Sequence, residues 1–343
     1  MDKVKFGIIG LGIFGQKRLI PAFATAHNAE LVAIYKRDLH SARKKAEEFG
    51  IPRAYNNIAT LLADKEIDAV FIATPNNLHM PHTLQAAAAG KHILVEKPMA
   101  LTVIECEQMI AACRRANVKL MIGQSQRFLN VVQRARLIVQ SGELGNIIFA
   151  QTHYSFHVER SPREWVWDKA VAGGGPVFDL GVHCIDLMRY VLKQEIMGLS
   201  SFLSPSGINS NEKVETAAVV AFQFEKDTLG SMQCAYNADF RTFFEFRGQR
   251  GTIWAENYTQ FDKEIILHKQ REDKDEEEAI YNENPYVAEI DAFAAVIRNQ
   301  QENPVPGEEG LQNQAIIEKI LSSSRIMPVT RGSKSNRDPV PQA

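Results

Sequence analysis

Apolar and polar positions follow a repeating rhythm through residues 1–124. Short continuous apolar runs at 4–10 (VKFGIIG), 30–35 (ELVAIY), 67–74 (IDAVFIAT) and 91–98 (KHILVEKP) read as buried strands. Between them, segments with three- and four-residue apolar spacing read as helices: 14–26, 41–50 ended by Gly50, and 82–90 ended by Gly90. Residues 102–118 form a further helix, with Thr102 and Glu105 at the spacing of a capping box, and 119–124 (KLMIGQ) closes the series as a short strand. Strands alternating with helices predict a doubly wound parallel sheet with crossover helices on both faces.

Past residue 124 the rhythm changes. One helix at 131–142 leads into longer alternating stretches at 146–158, 215–225, 229–238, 242–248 and 251–256, with RGQRGT at 247–252 as a turn between two of them. These predict a mainly antiparallel or mixed sheet. The expected organisation is therefore an α/β chain: a dinucleotide-binding Rossmann domain at 1–124, a substrate-binding α/β domain at 125–330, and a disordered tail at 331–343. The acidic run Glu272–Glu278 reads as a solvated loop or hairpin end.

Composition narrows the classes. The formal net charge is −2 over 343 residues, which argues against a nucleic-acid-binding surface. No apolar run approaches the ~20 residues of a membrane span, and the start of the chain lacks the features of a signal peptide. Four scattered cysteines without a CxxC pair point to buried thiols in a reducing, cytoplasmic compartment. No metal site is expected, because no His, Asp and Glu cluster has ligand spacing.

Gly10-Leu11-Gly12-Ile13-Phe14-Gly15 follows a strand and opens a helix. Gly10 permits the tight turn, Gly12 lets backbone approach a pyrophosphate, and Gly15 lets helix and strand pack closely. The helix start adds free N–H groups and partial positive charge. An NAD-specific site would place an acid at the end of the second strand. Lys36 and Arg37 stand there instead, with Asp38 two residues late, so NADP(H) is expected over NAD(H).

Two further groups carry chemistry. Lys97 ends a strand at the ligand-binding edge of the sheet, fixed between Glu96 and Pro98. Residues 173–186 (GGGPVFDLGVHCID) start a helix with Gly175 as N-cap and Pro176 at its first position. Helical spacing there puts Asp179 one turn before His183, where the carboxylate would orient the imidazole and favour its charged form.

At these residues the sequence resembles the Gfo/Idh/MocA family, the glucose–fructose oxidoreductase and inositol dehydrogenase group. The resemblance also rests on Ala73-Thr74-Pro75-Asn76-Asn77-Leu78-His79, on Arg127-Phe128, on Glu289-Ile290-Asp291-Ala292-Phe293 and on Glu309-Gly310-Leu311. It implies a Rossmann domain, then an α/β domain whose open sheet makes a homodimer or homotetramer. It further implies catalysis by Lys97, Asp179 and His183, with Thr74, Pro75, Asn76, His79 and Glu96 at the nicotinamide end. Arg127, Tyr154 and Trp167, with His183, are candidates to hold a small polyhydroxylated substrate. The reaction implied is reversible oxidation of a secondary alcohol to a ketone on a sugar, sugar derivative or cyclitol. A dihydrodiol-type substrate, or a dinucleotide-binding sensor without catalysis, are the alternatives.

Overall fold

The computed structural model describes residues 2–161, 163–204, 214–271 and 274–323. The predicted tail at 331–343 and residues Glu272 and Asp273 lie outside them.

Six strands form the first sheet: β1 (Val4–Ile9), β2 (Ala29–Tyr35), β3 (Arg53–Tyr55), β4 (Ala69–Ile72), β5 (His92–Glu96) and β6 (Leu120–Gly123). All are parallel, in the order β3-β2-β1-β4-β5-β6. The central strands β1 and β4 are buried on both faces, with only Lys5 part-exposed, as crossover helices require. Strand order reverses beside β1, which opens a ligand crevice at the C-terminal ends of β1 and β4. The three-residue edge strand β3 has no apolar run, so the sequence pattern did not reveal it. The helix predicted at 14–26 is a π-helical turn, Gly15–Leu19, running into an α-helix, Ile20–Thr25. Pro21 lacks an N–H, and the widened turn before it absorbs that break.

Eight strands form the second sheet: β7 (Ile147–Ser155), β8 (Ile196–Leu203), β9 (Ala217–Phe224), β10 (Leu229–Ala235), β11 (Arg241–Gly248), β12 (Thr252–Glu256), β13 (Lys263–Arg271) and β14 (Lys274–Asn282). Their order is β14-β13-β12-β11-β7-β10-β9-β8, antiparallel except where β7 meets β10. Of the two readings of the acidic run, hairpin end rather than loop fits its described residues, because β13 and β14 pair as a hairpin with Arg271 opposite Lys274. Its residues from Lys274 onward lie in edge strand β14, where Lys269 and His268 oppose Glu276 and Glu277. A charged edge strand keeps its carboxylates in water and discourages further pairing.

Strict alternation on β9 buries Ala218, Val220, Phe222 and Phe224 against helices and turns Val219, Ala221 and Gln223 outward. On that outward face Phe149 opposes Leu229, and Phe202 opposes Val219; all four are more than two-fifths exposed.

Two apolar cores result. The first gathers the parallel sheet, its helices, and Ile290, Phe293, Ala294 and Val296 from the helix Pro285–Ile297. The second gathers the antiparallel sheet, the helix Val182–Leu192, and Ile317 and Ile320 from the helix Gly307–Ser323.

Candidate active site

The turn after β1 is shaped as a phosphate cradle. Gly10 has φ +103°, and a Cβ there would lie 2.7 Å from the Ala73 carbonyl, so only glycine fits. A Cβ on Gly12 would meet nothing within 4 Å; its backbone faces open space at the mouth of the crevice. Further along the same edge, Asn77 Oδ1, Glu96 Oε1 and Gln124 Oε1 are buried without a hydrogen-bond partner among the described residues. They stand at or just beyond the ends of β4, β5 and β6. Orphaned polar atoms beside an open glycine turn fit a large polar ligand such as a dinucleotide. Its pyrophosphate would lie on residues 10–15.

The loops after β4 and β5 are tied to each other. His79 is buried, with Nδ1 2.9 Å from the Pro98 carbonyl oxygen and Nε2 2.9 Å from that of Thr74. Burial lowers its pKa to about 4, against the pull of those two carbonyls. Asn76 Nδ2 donates to the Ala172 carbonyl at 2.8 Å, which fastens the β4 loop to the segment before the triple glycine.

That segment starts the helix differently from the sequence reading. The first turn is a π-helix, Val177–Gly181, with Pro176 rather than Gly175 as N-cap, and α-helix follows over Val182–Leu192. The Glu215 carboxylate accepts from the amides of Gly175 and Val177 at 3.0 and 3.1 Å and so caps the turn. Gly175 is required for packing: a Cβ there would sit 1.9 Å from the Glu215 carbonyl oxygen.

Asp179, inside this turn, is the hub of the site. Lys97 Nζ donates to its carboxylate Oδ1 and to its backbone oxygen, each at 2.9 Å. Arg163 Nη2 donates to Oδ2 at 2.9 Å and Nη1 reaches Oδ1 at 3.4 Å, while the Tyr236 hydroxyl donates to Oδ2 at 3.2 Å. Burial alone would raise the Asp179 pKa, but the two cations overcome it and hold the carboxyl far below the usual range. Lys97 and Asp179, two members of the group that the resemblance implies, thus lie together. Arg163 and Tyr236 were not foreseen. An arginine set among tryptophans ahead of the glycine run was the available signal for the first; for Tyr236 there was none.

The expected Asp179–His183 contact is not formed. Charge-assisted bonds from lysine and arginine outcompete a neutral imidazole for the carboxylate, and the π-turn alters the one-turn spacing. His183 is buried with Nδ1 unpartnered, and its ring lies 5.9 Å from that of Tyr154. Burial, then the Lys97 charge, lower its pKa to about 3, so it is neutral at physiological pH, contrary to the charged imidazole expected. Trp167 packs edge-on against Tyr236 at 5.6 Å. Tyr154 and Trp167 therefore border the cluster.

Arg127 does not. It is buried in a bidentate pair with Asp186 (2.7 and 2.8 Å) and a further bond to Glu309 at 2.6 Å, which locks the helix Val182–Leu192 to the helix Gly307–Ser323.

At the end of β2, Asp38 caps the next helix by accepting from the Ser41 amide at 2.7 Å, which commits it locally. Lys36 Nζ reaches the Leu11 carbonyl, in the glycine turn, at 3.4 Å. Arg37 is exposed. Among the described residues there is no group of three or more His, Cys, Asp and Glu able to hold a metal, and no helix long and apolar enough to cross a membrane.

Comparison with known proteins bears on the whole arrangement. Residues 4–124 match an oxidoreductase family with an NAD-binding Rossmann fold, and residues 132–254 match the GFO/IDH/MocA C-terminal domain. An oxidoreductase of Rhizobium meliloti is 40% identical over 57% of this chain and 58% of its own length. The 1,5-anhydro-D-fructose reductase of Ensifer adhaerens is 26% identical over 91% of this chain and 93% of its own. The crystal structure of an aldose-aldose oxidoreductase from Caulobacter crescentus superposes with a TM-score of 0.88 at 28% identity, over 94% of this chain and 98% of that one. With both halves matched in sequence and the full architecture matched in space, the chain belongs to the Gfo/Idh/MocA family of NAD(P)-dependent oxidoreductases.

Proposed function

We propose that this oxidoreductase interconverts a secondary alcohol and a ketone on a sugar, sugar derivative or cyclitol, with Lys97 as the group that exchanges a proton with the substrate oxygen. The observation that carries this is the bonding of the Lys97 amine. An ammonium has three donors; two are spent on Asp179, and the third is left for a carbonyl oxygen. Asp179 stays ionised and holds the ammonium in place, with Arg163 fixing the carboxylate from its other side. Neutral His183 offers a hydrogen bond to the same oxygen, and Tyr154 and Trp167 wall the substrate. The dinucleotide, when bound, supplies or accepts the hydride. A ring-bearing diol is the second reading, supported by the partly exposed ring of Trp167, which packs on Tyr236 beside Asp179.

NADP(H) is the proposed cofactor. Lys36 and Arg37 supply two cations at the end of β2, and Asp38, committed to its cap, is withdrawn from any ribose. The double variant Lys36→Asp, Arg37→Ala is expected to weaken NADP(H) about 100-fold, the loss of two charge-assisted contacts, with little change for NAD(H). Affinities for both cofactors, measured by fluorescence titration, test this; equal affinities in the parent protein that the variant leaves alone would exclude it. A screen of polyols, aldoses and keto-sugars with both cofactors tests the substrate class.

The division into a dinucleotide-binding lobe and a substrate lobe, a homodimer or homotetramer through the outward face of the second sheet, and a cytoplasmic setting complete the proposal. The apolar pairs Phe149–Leu229 and Phe202–Val219 support the oligomer. Four buried, unpaired cysteines support a reducing compartment.

A further inference from the structure

Two carboxyl groups beside the site have no role in the mechanism above. Glu96 closes β5 next to Lys97, with Gly123 as its neighbour on β6. Glu289 lies in the helix Pro285–Ile297 and is fully buried. Three of their four oxygens, Glu96 Oε1 and both of Glu289, have no hydrogen-bond partner among the described residues. An unpartnered buried carboxylate is among the costliest groups a protein can hold, and two that feel each other's charge cannot both be ionised.

Few other groups face them. Along β5, Lys97 contributes its charge and a backbone N–H to Glu96, but its amine is bonded to Asp179. The turn Val177–Gly181 contributes the negative Asp179. From its own helix, Tyr286 lies one turn before Glu289, with Ser125 beside its hydroxyl. The charged group that faces Glu289 is Glu96. Burial, and after it the other carboxyl, push Glu289 upward; burial pushes Glu96 up to about 7. The pair therefore carries at least one proton at neutral pH.

We propose that Glu96 and Glu289 form a proton reservoir coupled to the charge of the nicotinamide ring, yielding a proton when the oxidised, cationic dinucleotide binds and keeping it when the reduced, uncharged one binds. The inference rests on the proposed dinucleotide cofactor and on the nicotinamide placement that the resemblance implies, at Thr74, Pro75, Asn76 and Glu96 with His79 nearby. The balance is simple: a positive ring arrives, a carboxylate is left behind, and one proton goes to solvent. An opposite charge within about 4–6 Å lowers a carboxyl pKa by roughly 1–3 units, enough to empty a site poised near neutrality. The protein would then distinguish the two redox forms by pH, oxidised cofactor binding more tightly as pH rises and reduced cofactor unaffected.

Calorimetric titration of the full chain with NADP+ and with NADPH, at pH 7 in buffers of different ionisation enthalpy, counts the protons exchanged. Any protons due to the 2′-phosphate are common to both forms and cancel in the comparison. The expected result is release of about half a proton more for NADP+ than for NADPH, as for a group near half-occupancy. Glu96→Gln removes the carboxyl that burial poises near neutrality and should abolish the difference. Equal proton counts for the two redox forms, or a difference that Glu96→Gln leaves intact, would overturn the proposal while leaving the cofactor assignment standing. Absence of binding by either form would overturn both. Should Glu96→Gln fail to fold, the parent protein decides alone: the Kd of NADP+ should fall several-fold from pH 6 to pH 8 relative to that of NADPH, and parallel profiles would refute it.

Discussion

Replacing Lys97 with alanine is expected to lower kcat by ~10²–10⁴-fold, the usual contribution of a positioned proton-transfer group, while dinucleotide affinity changes little. The variant removes the cation that bonds both the carboxylate and the backbone oxygen of Asp179 and keeps a third donor. Steady-state kinetics on the best substrate from the screen, with cofactor Kd measured separately, provide the check; an unimpaired kcat would remove Lys97 from the chemistry. Asp179→Asn is expected to be nearly as damaging. Its carboxylate neutralises both Lys97 and Arg163, and its loss leaves two partly buried cations facing each other. His183→Ala should also reduce kcat, but without moving a neutral-pH limb of the kcat/KM profile. A histidine lowered to about 3 by burial and Lys97 gains no proton until well below neutrality, so any limb between pH 6 and 8 belongs to another group. A neutral limb that disappears in His183→Ala would restore histidine as the titrating base.

Gly12→Val should reduce dinucleotide affinity by at least ~10³-fold, about 4 kcal/mol, and leave the fold intact. These two outcomes usually conflict, and the structure separates them. At Gly10 any side chain would strike Ala73 and Thr74, and the positive φ would be strained as well, so a variant there would confuse misfolding with lost binding. At Gly12 the new Cβ meets no protein atom within 4 Å; the branched side chain fills only the space in which a pyrophosphate must touch backbone. An unchanged melting temperature with no measurable cofactor heat is the expected pair of observations. Normal affinity in a folded Gly12→Val protein would disprove the phosphate assignment.

What the sequence revealed, and what it hid, divides along a physical line. Local features were legible. The apolar runs of β1, β2, β4 and β5, the glycine turn, and the Thr102 cap, which accepts from the Glu105 amide at 3.2 Å, each depend on a few adjacent residues. Strands β8, β13 and β14 were missed because one face of each meets water and their apolar signal is weak. Long-range partnerships were hidden as well. Lys97 reaches Asp179 across 82 positions and Arg127 reaches Asp186 across 59. No spacing rule predicts which cation a carboxylate will take. The Asp179–His183 pairing failed for that reason: α-helical geometry was assumed for a π-turn, and the nearest neighbour in sequence lost to two stronger donors from elsewhere. Arg127 shows the same limit, a cation that sequence could not distinguish from a substrate clamp.

The return of the helix Pro285–Ile297 to the first core bears on how separable the two halves are. Ile290 and Phe293 are fully buried there, one of them edge-on to Phe6 of β1, so the dinucleotide-binding lobe is assembled from both ends of the chain. A fragment ending at residue 124 would lack that helix and expose the apolar seat it covers. The lobe is thus no portable cassette to be cut out and fused to another substrate module at a single junction. Any recombination with a relative must exchange the late helix together with the early sheet, and a crossover placed only at the boundary between the two matched segments would pair a parallel sheet with a foreign lid.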